Sequence, residues 1–183
     1  MNRKDNRRTA MTKHLLKESL LELLETQDIH KISIRALCQR ADLNRSTFYK
    51  HYASQYDLLK DMEDDLLAQI DKSLRVSDGS PASDLDQLAD ILSFIQAHLR
   101  LCRVLIHSNT DPDFPKRLLH HPAILQKLRG RFPEGGSPAQ LAYLQDFFLY
   151  GGYQLIQSWI LSGCRESPAQ IAQILTDIQR RLS

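Results

Sequence analysis

Three absences in the sequence narrow the class of protein before any motif is considered. No apolar run reaches the roughly 18 residues that a membrane-spanning helix needs, because charged residues interrupt every one. The polar start, residues 1–5, has no apolar segment behind it, so we expect no secretory signal. The three cysteines, Cys38, Cys102 and Cys164, are far apart and odd in number, which fits neither a disulfide framework nor a zinc cluster. These features predict a reduced, cytoplasmic protein that does not contact a membrane.

Signals for catalysis and for metal binding are also missing. The sequence contains no glycine-rich phosphate loop, no nucleophile elbow and no paired-carboxylate arrangement. His120 and His121 are adjacent and cannot both face one site on a helix, and no cysteine or carboxylate stands at ligand spacing from them. We therefore expect a protein that is not an enzyme and that has no metal site and no cofactor.

The charge of the chain is unevenly distributed, although its net value is only +2. Residues 1–60 carry twelve Lys and Arg against seven Asp and Glu, a net charge of +5, and the remainder nets −3. A basic N-terminal part on an acidic body is expected of a nucleic-acid-binding module joined to a domain of a different kind.

Helical periodicity recurs along the whole chain, and strand signals are almost absent. Apolar stripes predict a first helix that ends near Gln27 and a fourth helix that runs through Leu74, before a break at Ser77–Pro81. The stripe from Leu85 to Cys102 predicts one long helix. The fold class is therefore all-α.

Two helices near the C-terminus begin with the same local signal. Ser137-Pro138 and Ser167-Pro168 each place a capping hydroxyl before a proline at the first helical position, which predicts helices near 138–162 and 168–182. Phe132–Gly136 predicts the loop before the first of them, and Gly163 is well placed to end it.

Residues 31–59 carry the strongest functional signal. A second helix is expected to end near Ala41, and after a tight turn Asn44 stands as the N-cap of a third helix. Ser54 and Asp57 have the spacing of a capping box for the fourth helix, so the third helix is only about two turns long. A helix, a tight turn and a compact polar helix in this order predict a helix-turn-helix.

The two faces of the third helix differ in chemistry. Phe48 and Tyr52 share the side that can pack inward, whereas Ser46, Tyr49 and Lys50 lie opposite. The outer side chains bear hydroxyls and positive charge, as a helix needs in order to enter a DNA major groove. A solvated face with no partner is the alternative interpretation of the same pattern.

Residues 9–60 resemble the DNA-binding domain of the tetracycline-repressor (TetR) family of bacterial regulators. The resemblance is carried by Ile32-Ser33-Ile34-Arg35, Leu37 through Ala41, Leu43 through Tyr52, and Asp57-Leu58-Leu59. It implies an N-terminal arm and three-helix helix-turn-helix domain over residues 1–56, and a helical-bundle domain for effector binding and dimerisation over residues 57–183.

The resemblance also implies a set of DNA-contacting residues by position. These are Ser33 and Tyr49 on phosphate, Arg35, Arg45, Ser46 and Thr47 at or near bases, Lys50 and His51 close to the backbone, and Gln55 at the start of the fourth helix. The sequence departs from the family pattern at two positions. Asp42 occupies a turn position that often holds glycine, and Gln55 stands where many members have a lysine, so it adds no charge.

The expected function is therefore a sequence-specific regulator, a repressor, that binds a palindromic operator in double-stranded DNA as a homodimer. The last two helices would form the dimer interface, and Gly151-Gly152 would permit close helix approach. A small-molecule or protein effector bound around residues 85–160 would change operator affinity. A co-regulator that acts through protein partners, with weak DNA binding or none, is the alternative. The basic segment Arg3–Arg8 is expected to be disordered, and a minor-groove role for it stays open.

Overall fold

The computed structural model describes residues 3–74, 81–106, 110–128 and 137–182, and every regular element within these ranges is helical. The prediction of an all-α fold is thereby confirmed. None of the helices in these ranges has the length and apolarity needed to cross a membrane. Of the break predicted at Ser77–Pro81 only Pro81 is described, as the first residue of a helix, and the loop predicted at Phe132–Gly136 lies outside the described residues.

The chain forms two compact units. Unit 1 comprises the described residues up to Leu66 together with 110–112, and unit 2 comprises the rest. The helices of unit 1 are α1 (Arg3–Leu24), a 3₁₀ turn (Ile29–Lys31), α2 (Ile34–Arg40), α3 (Arg45–Tyr49) and the first part of α4 (Gln55–Leu74). The dividing point lies inside α4, after Leu66, whereas the sequence predicts the domain boundary after residue 56, just past the start of this helix at Gln55.

Helix α1 begins earlier than the sequence analysis expected. It starts at Arg3, so the expectation of a disordered Arg3–Arg8 segment was wrong. Arginine and lysine are good helix formers, and they extend the helix that the apolar stripe behind them establishes. The helix ends at Leu24, about one turn before the predicted end near Gln27.

The core of unit 1 joins α1, α2, α3 and α4. Helix α2 contributes the fully buried Leu37 to this core, and α3 contributes Phe48. Helix α1 adds Leu16 and Leu20, and α4 adds Leu58. Burial of a large apolar side chain stabilises by roughly 1.5–3 kcal/mol. This core therefore fixes the short α3, which has too few residues to be stable alone.

Unit 2 contains the last part of α4 and six further helices among the described residues. They are α5 (Pro81–Ala97), α6 (Leu99–Leu105), α7 (Phe114–Leu119), α8 (Pro122–Leu128), α9 (Pro138–Leu161) and α10 (Pro168–Leu182). The single helix predicted from Leu85 to Cys102 is two helices, because His98 leaves helical geometry with φ −113° and ψ 34°. The imidazole Nδ1 of His98 lies 2.9 Å from the carbonyl oxygen of Phe94, where it stabilises the end of α5.

The two C-terminal helices have the predicted bounds. Ser137 caps α9 in a reciprocal capping box with Gln140, and Ser167 makes the equivalent pair of bonds with Gln170 at α10. Gly163 follows the end of α9 with φ +86°, a conformation that glycine adopts without strain. The packing of α10 against α5 and α9 forms the main body of unit 2.

Candidate nucleic-acid interface

The turn between α2 and α3 is built from backbone hydrogen bonds. The amide of Leu43 donates to the carbonyl of Cys38 (2.9 Å), and the amide of Asp42 donates to that of Gln39 (3.4 Å). This is the Schellman pattern, and it places Asp42 in the left-handed region with φ 52°. Aspartate tolerates that region better than most residues, so the tight turn survives the substitution for glycine that the sequence analysis noted.

Helix α3 begins at Arg45, as predicted from Asn44 at the N-cap position. The backbone of Asn44 has the extended geometry of an N-cap, but its side chain makes no capping hydrogen bond. The helix is held by Phe48, which is completely buried and contacts the rings of Tyr49 (5.6 Å between centroids) and Tyr52 (5.9 Å). The assignment of Phe48 and Tyr52 to the core is confirmed.

The outer face of α3 is exposed as its sequence predicted. Arg45, Ser46 and Lys50 are exposed, and Tyr49 keeps 57% of its surface accessible while its ring packs at a right angle to that of Phe48. Thr47 is half-buried on the flank of this helix. A rigid helix with accessible hydroxyl and cationic side chains can donate hydrogen bonds both to phosphate oxygens and to base edges.

The remaining predicted contact residues lie on either side of α3. Ser33 and Arg35 at the start of α2 are exposed, and His51 and Gln55 are half-buried. Ser33 is the N-cap of α2, since its hydroxyl oxygen accepts from the amide of Ala36 (3.1 Å). This bond uses a lone pair, and the O–H can still donate to a phosphate oxygen. All nine predicted residues thus belong to unit 1, and their contacts with DNA stay predictions.

One polar cluster in unit 1 escaped the sequence analysis. The carboxylate of Asp61 on α4 accepts a hydrogen bond from Tyr52 (2.7 Å) and forms ion pairs with Lys17 (2.8 Å) and Lys13 (3.4 Å) on α1. Lys17 also pairs with Asp65, and the ammonium of Lys13 lies 5.3 Å from the centre of the Tyr52 ring. The cluster ties α1, α4 and the residues that follow α3 into one network, which we call the Asp61 cluster.

The surroundings of Asp61 in this cluster favour the ionised form of its carboxylate. Burial acts to raise the pKa of Asp61, but hydrogen bonds from Lys17 and Tyr52 and the charges of Lys17 and Lys13 lower it to about 2. Burial and the bond to Asp61 raise the pKa of Tyr52, so its hydroxyl stays protonated as a donor. The pKa of Lys17 is also raised, because its two carboxylate partners outweigh its desolvation.

Two family models match the chain. The model described as "Bacterial regulatory proteins, tetR family" matches residues 18–62, and the model described as "Transcriptional regulator C-terminal region" matches residues 85–181. Together they cover the helix-turn-helix and most of unit 2. A curated relative, the uncharacterized HTH-type transcriptional regulator YxbF of Bacillus subtilis (strain 168), is 28% identical over 167 residues. The match covers 86% of this chain but 42% of YxbF, so the chain spans less than half the length of that relative.

Solved structures with the same fold cover almost the whole chain. A TetR transcriptional regulator from Streptococcus agalactiae 2603V has a TM-score of 0.72 at 22% identity, over 96% of this chain and 97% of its own. The dihydroxyacetone kinase operon activator DhaS has a TM-score of 0.62 at 16% identity, over 93% and 94%. At identities of 22% and 16%, the structural similarity establishes the fold alone.

Proposed function

The chain belongs to the TetR family of bacterial transcriptional regulators, and on that premise we propose that it binds a palindromic operator as a homodimer under the control of an effector held in unit 2. Family membership makes the chain a DNA-binding transcriptional regulator and not an enzyme. Because the regulator acts on chromosomal DNA, we propose the cytoplasm as its location.

The observation that carries the DNA-binding proposal is the exposed outer face of α3 on its buried anchor. Phe48 is fully buried beneath the helix, so Arg45, Ser46 and Tyr49 project from a fixed support. Preorganisation of this kind lowers the entropic cost of forming an interface. Arg45 can address a guanine with two hydrogen bonds, and the hydroxyls of Ser46 and Tyr49 can bind bases or phosphate.

Dimer formation is supported by an exposed apolar face on α9 and α10, which we call the α9–α10 face. Tyr143, Phe147 and Tyr150 follow one another at helical spacing on α9 with 75%, 65% and 47% of their surface exposed. Ile174 and Ile178 on α10 are 43% and 40% exposed. Exposed apolar side chains that cluster on two neighbouring helices are typical of an interaction surface, and a two-fold axis lets the same face meet its own copy.

The glycine pair on α9 is uncrowded within its own chain, and its role in close approach between two chains stays a proposal. An added Cβ at Gly152 would lie 3.6 Å from Leu175 of the same chain, an ordinary contact distance, and Gly151 has open space around it. The open space at Gly151 leaves room for a second chain, and the exposed apolar residues of the α9–α10 face carry the main support for a dimer.

Control by an effector is supported by the course of α4. Its residues up to Leu66 belong to unit 1 with the helix-turn-helix, and its residues from Leu67 to Leu74 belong to unit 2. A ligand that shifts the end of α4 in unit 2 would therefore act on the helix that carries Asp61 in unit 1. Since Asp61 bonds to Tyr52, the shift would reach the residues that follow α3.

We propose repression as the direction of control. A dimer that occupies an operator overlapping a promoter blocks polymerase without any further contact, whereas activation needs an additional surface for polymerase or a partner. One relative of the same fold, DhaS, is an operon activator by its name, so a reporter gene behind the selected operator tests the direction. Higher reporter output in the presence of the protein would overturn repression.

The proposal is tested by selection of random duplex DNA with the purified protein at low and at moderate salt. We expect enrichment of a palindrome, and loss of that enrichment when Arg45 and Tyr49 are both changed to Ala. Arg40, which pairs with Glu22 (2.7 Å), provides the control, because Arg40→Ala removes an exposed cation outside the predicted contact set. A folded protein that enriches no sequence would contradict operator binding and favour the co-regulator alternative.

A further inference from the structure

Unit 2 contains a cavity of about 380 Å³ among its helices. Its walls come from the end of α4 and from α5, α8, α9 and α10, and they are mostly apolar, with Leu85, Leu88, Ile91, Leu128, Phe148 and Leu175. The volume lies in the range of small-molecule sites. Since an apolar cavity of 150 Å³ accommodates benzene, this one accommodates a body of about fifteen non-hydrogen atoms by simple scaling.

Among the described residues of the lining, three are charged, and two of these neutralise each other. Asp84 and Lys127 form an ion pair of 3.1 Å with little exposure of either side chain. The remaining charge is Arg180, whose side chain is 65% exposed and whose guanidinium is 3.9 Å from Asp177, a long contact. Asp177 is not among the lining residues, so the described lining carries one net positive charge, and the cation that supplies it is largely exposed to solvent.

We propose that this cavity binds a medium-chain amphiphile with a single carboxylate, its apolar body against Leu88, Ile91 and Phe148 and its head group at Arg180. A charged head placed among the apolar walls would lose its hydration without compensation, so it must stay at the exposed cation. A monocarboxylate balances the net positive charge of the described lining, and the planar guanidinium of Arg180 offers it two parallel hydrogen bonds.

The position of the cavity connects its ligand to both parts of the proposed regulation. Leu74, the last residue of α4, lines it. Leu175 and Arg180 line it from α10, whose Ile174 and Ile178 belong to the α9–α10 face. A bound carboxylate therefore contacts the helix shared by the two units and a helix of the proposed dimer interface. The inference that this ligand is the effector rests on the proposed function.

The test is isothermal titration calorimetry of the full chain, without DNA, with sodium dodecanoate below its micelle concentration. Dodecan-1-ol and dodecyltrimethylammonium, which have the same tail and other head groups, are the comparison ligands. We expect one dodecanoate per chain and weaker binding of the alcohol and the cation. Arg180→Gln should weaken dodecanoate binding about three- to tenfold, as expected for a charged contact that solvent partly screens.

The matched control is Arg181→Gln, which removes the same charge from the neighbouring exposed position that does not line the cavity. It should leave dodecanoate affinity unchanged, and Arg180→Gln should leave the weak alcohol binding unchanged. Ile91→Trp should abolish binding by filling the cavity, and Ile91→Phe repeats this test if the tryptophan variant does not melt cooperatively.

Three results would overturn the inference. They are the absence of dodecanoate binding, equal affinity for the alcohol, and equal effects of the changes at Arg180 and Arg181. Because no DNA is present, the outcome is separate from the operator selection. A protein that selects a palindrome and binds no dodecanoate contradicts this inference alone, and one that binds dodecanoate but selects no DNA contradicts the proposed function alone.

Discussion

At the scale of single residues, Asp61 joins three separate parts of unit 1. It accepts from Tyr52 and pairs with Lys17 and Lys13, so one carboxylate joins α1, α4 and the residues after α3. The lysines stand 44 and 48 residues before Asp61 in sequence. Such a cluster follows from the packing of three elements, and no local spacing in the sequence could have indicated it.

Asp61→Asn should lower the free energy of unfolding by about 1 kcal/mol at neutral pH. Since the folded-state pKa of Asp61 is about 2, below its value in the unfolded chain, its charge contributes stability that is fully present above about pH 4. That contribution is lost as pH falls from about 4 to 2, so the difference between variant and wild type should shrink over this window. The expected loss is small because the side chain is 30% exposed and solvent screens the ion pairs.

Urea unfolding between pH 2.5 and pH 7 provides the measurement. Asp64→Asn, at an exposed position of the same helix, is the control that removes a carboxylate outside the Asp61 cluster. Equal destabilisation by the two changes at every pH would contradict the role given to Asp61.

Side-chain burial around α3 could be predicted from the sequence where it depends only on the spacing of residues along one helical turn. Phe48 and Tyr52 are four residues apart, and both are buried as their spacing indicated. The hydrogen bond of Tyr52 to Asp61 was not predictable, because it depends on where α4 lies. The prediction for the turn at Asp42 was also sound, since the residue adopts φ 52°.

At the scale of elements, the two N-caps of the helix-turn-helix differ. The hydroxyl of Ser33 caps α2 through the amide of Ala36, whereas the side chain of Asn44 makes no capping bond to α3. Ser33→Ala should therefore lower the free energy of unfolding by about 1 kcal/mol, and Asn44→Ala should lower it much less. Chemical unfolding without DNA measures both, and an equal or larger loss for Asn44→Ala would contradict the assignment.

Helix bounds were predictable where capping residues are local. Asn44, Ser137 and Ser167 each stand immediately before a helix, and the predicted starts of α3, α9 and α10 agree with the structure. The break at His98 was missed because the apolar stripe continues across it from α5 into α6. A stripe reports which side of a helix is buried, but not whether the backbone is continuous.

At the scale of the whole molecule, we propose that the α9–α10 face forms the dimer interface and so sets the oligomeric state. Phe147→Asp places a charge in the middle of that face, where burial in a dimer would cost several kcal/mol. We expect the wild type to sediment as a dimer at micromolar concentration and Phe147→Asp to sediment as a monomer. Met11→Asp, at a 56% exposed position on α1, should stay dimeric. A monomeric wild type, or equal effects of the two changes, would contradict the interface.

The overall class of the molecule could be predicted from the sequence, but its cavity could not. The helix-turn-helix depends on consecutive residues from Ile32 to Leu59, and the basic charge is concentrated in the same part of the chain. The cavity walls come from five helices between Leu74 and Arg180. The aromatic residues of α9 show the same limit, because Phe148 lines the cavity while its neighbour Phe147 is 65% exposed.

The most direct test of operator binding by both helix-turn-helix domains of a dimer is fluorescence anisotropy at physiological salt. Three duplexes are compared: the selected operator, the operator with one half-site scrambled, and the operator with both half-sites scrambled. We predict that the intact operator binds about a thousandfold or more tightly than the fully scrambled duplex, with the half-scrambled duplex between them. Equal affinity for all three duplexes, with the same salt dependence, would show binding by charge alone and would contradict the account.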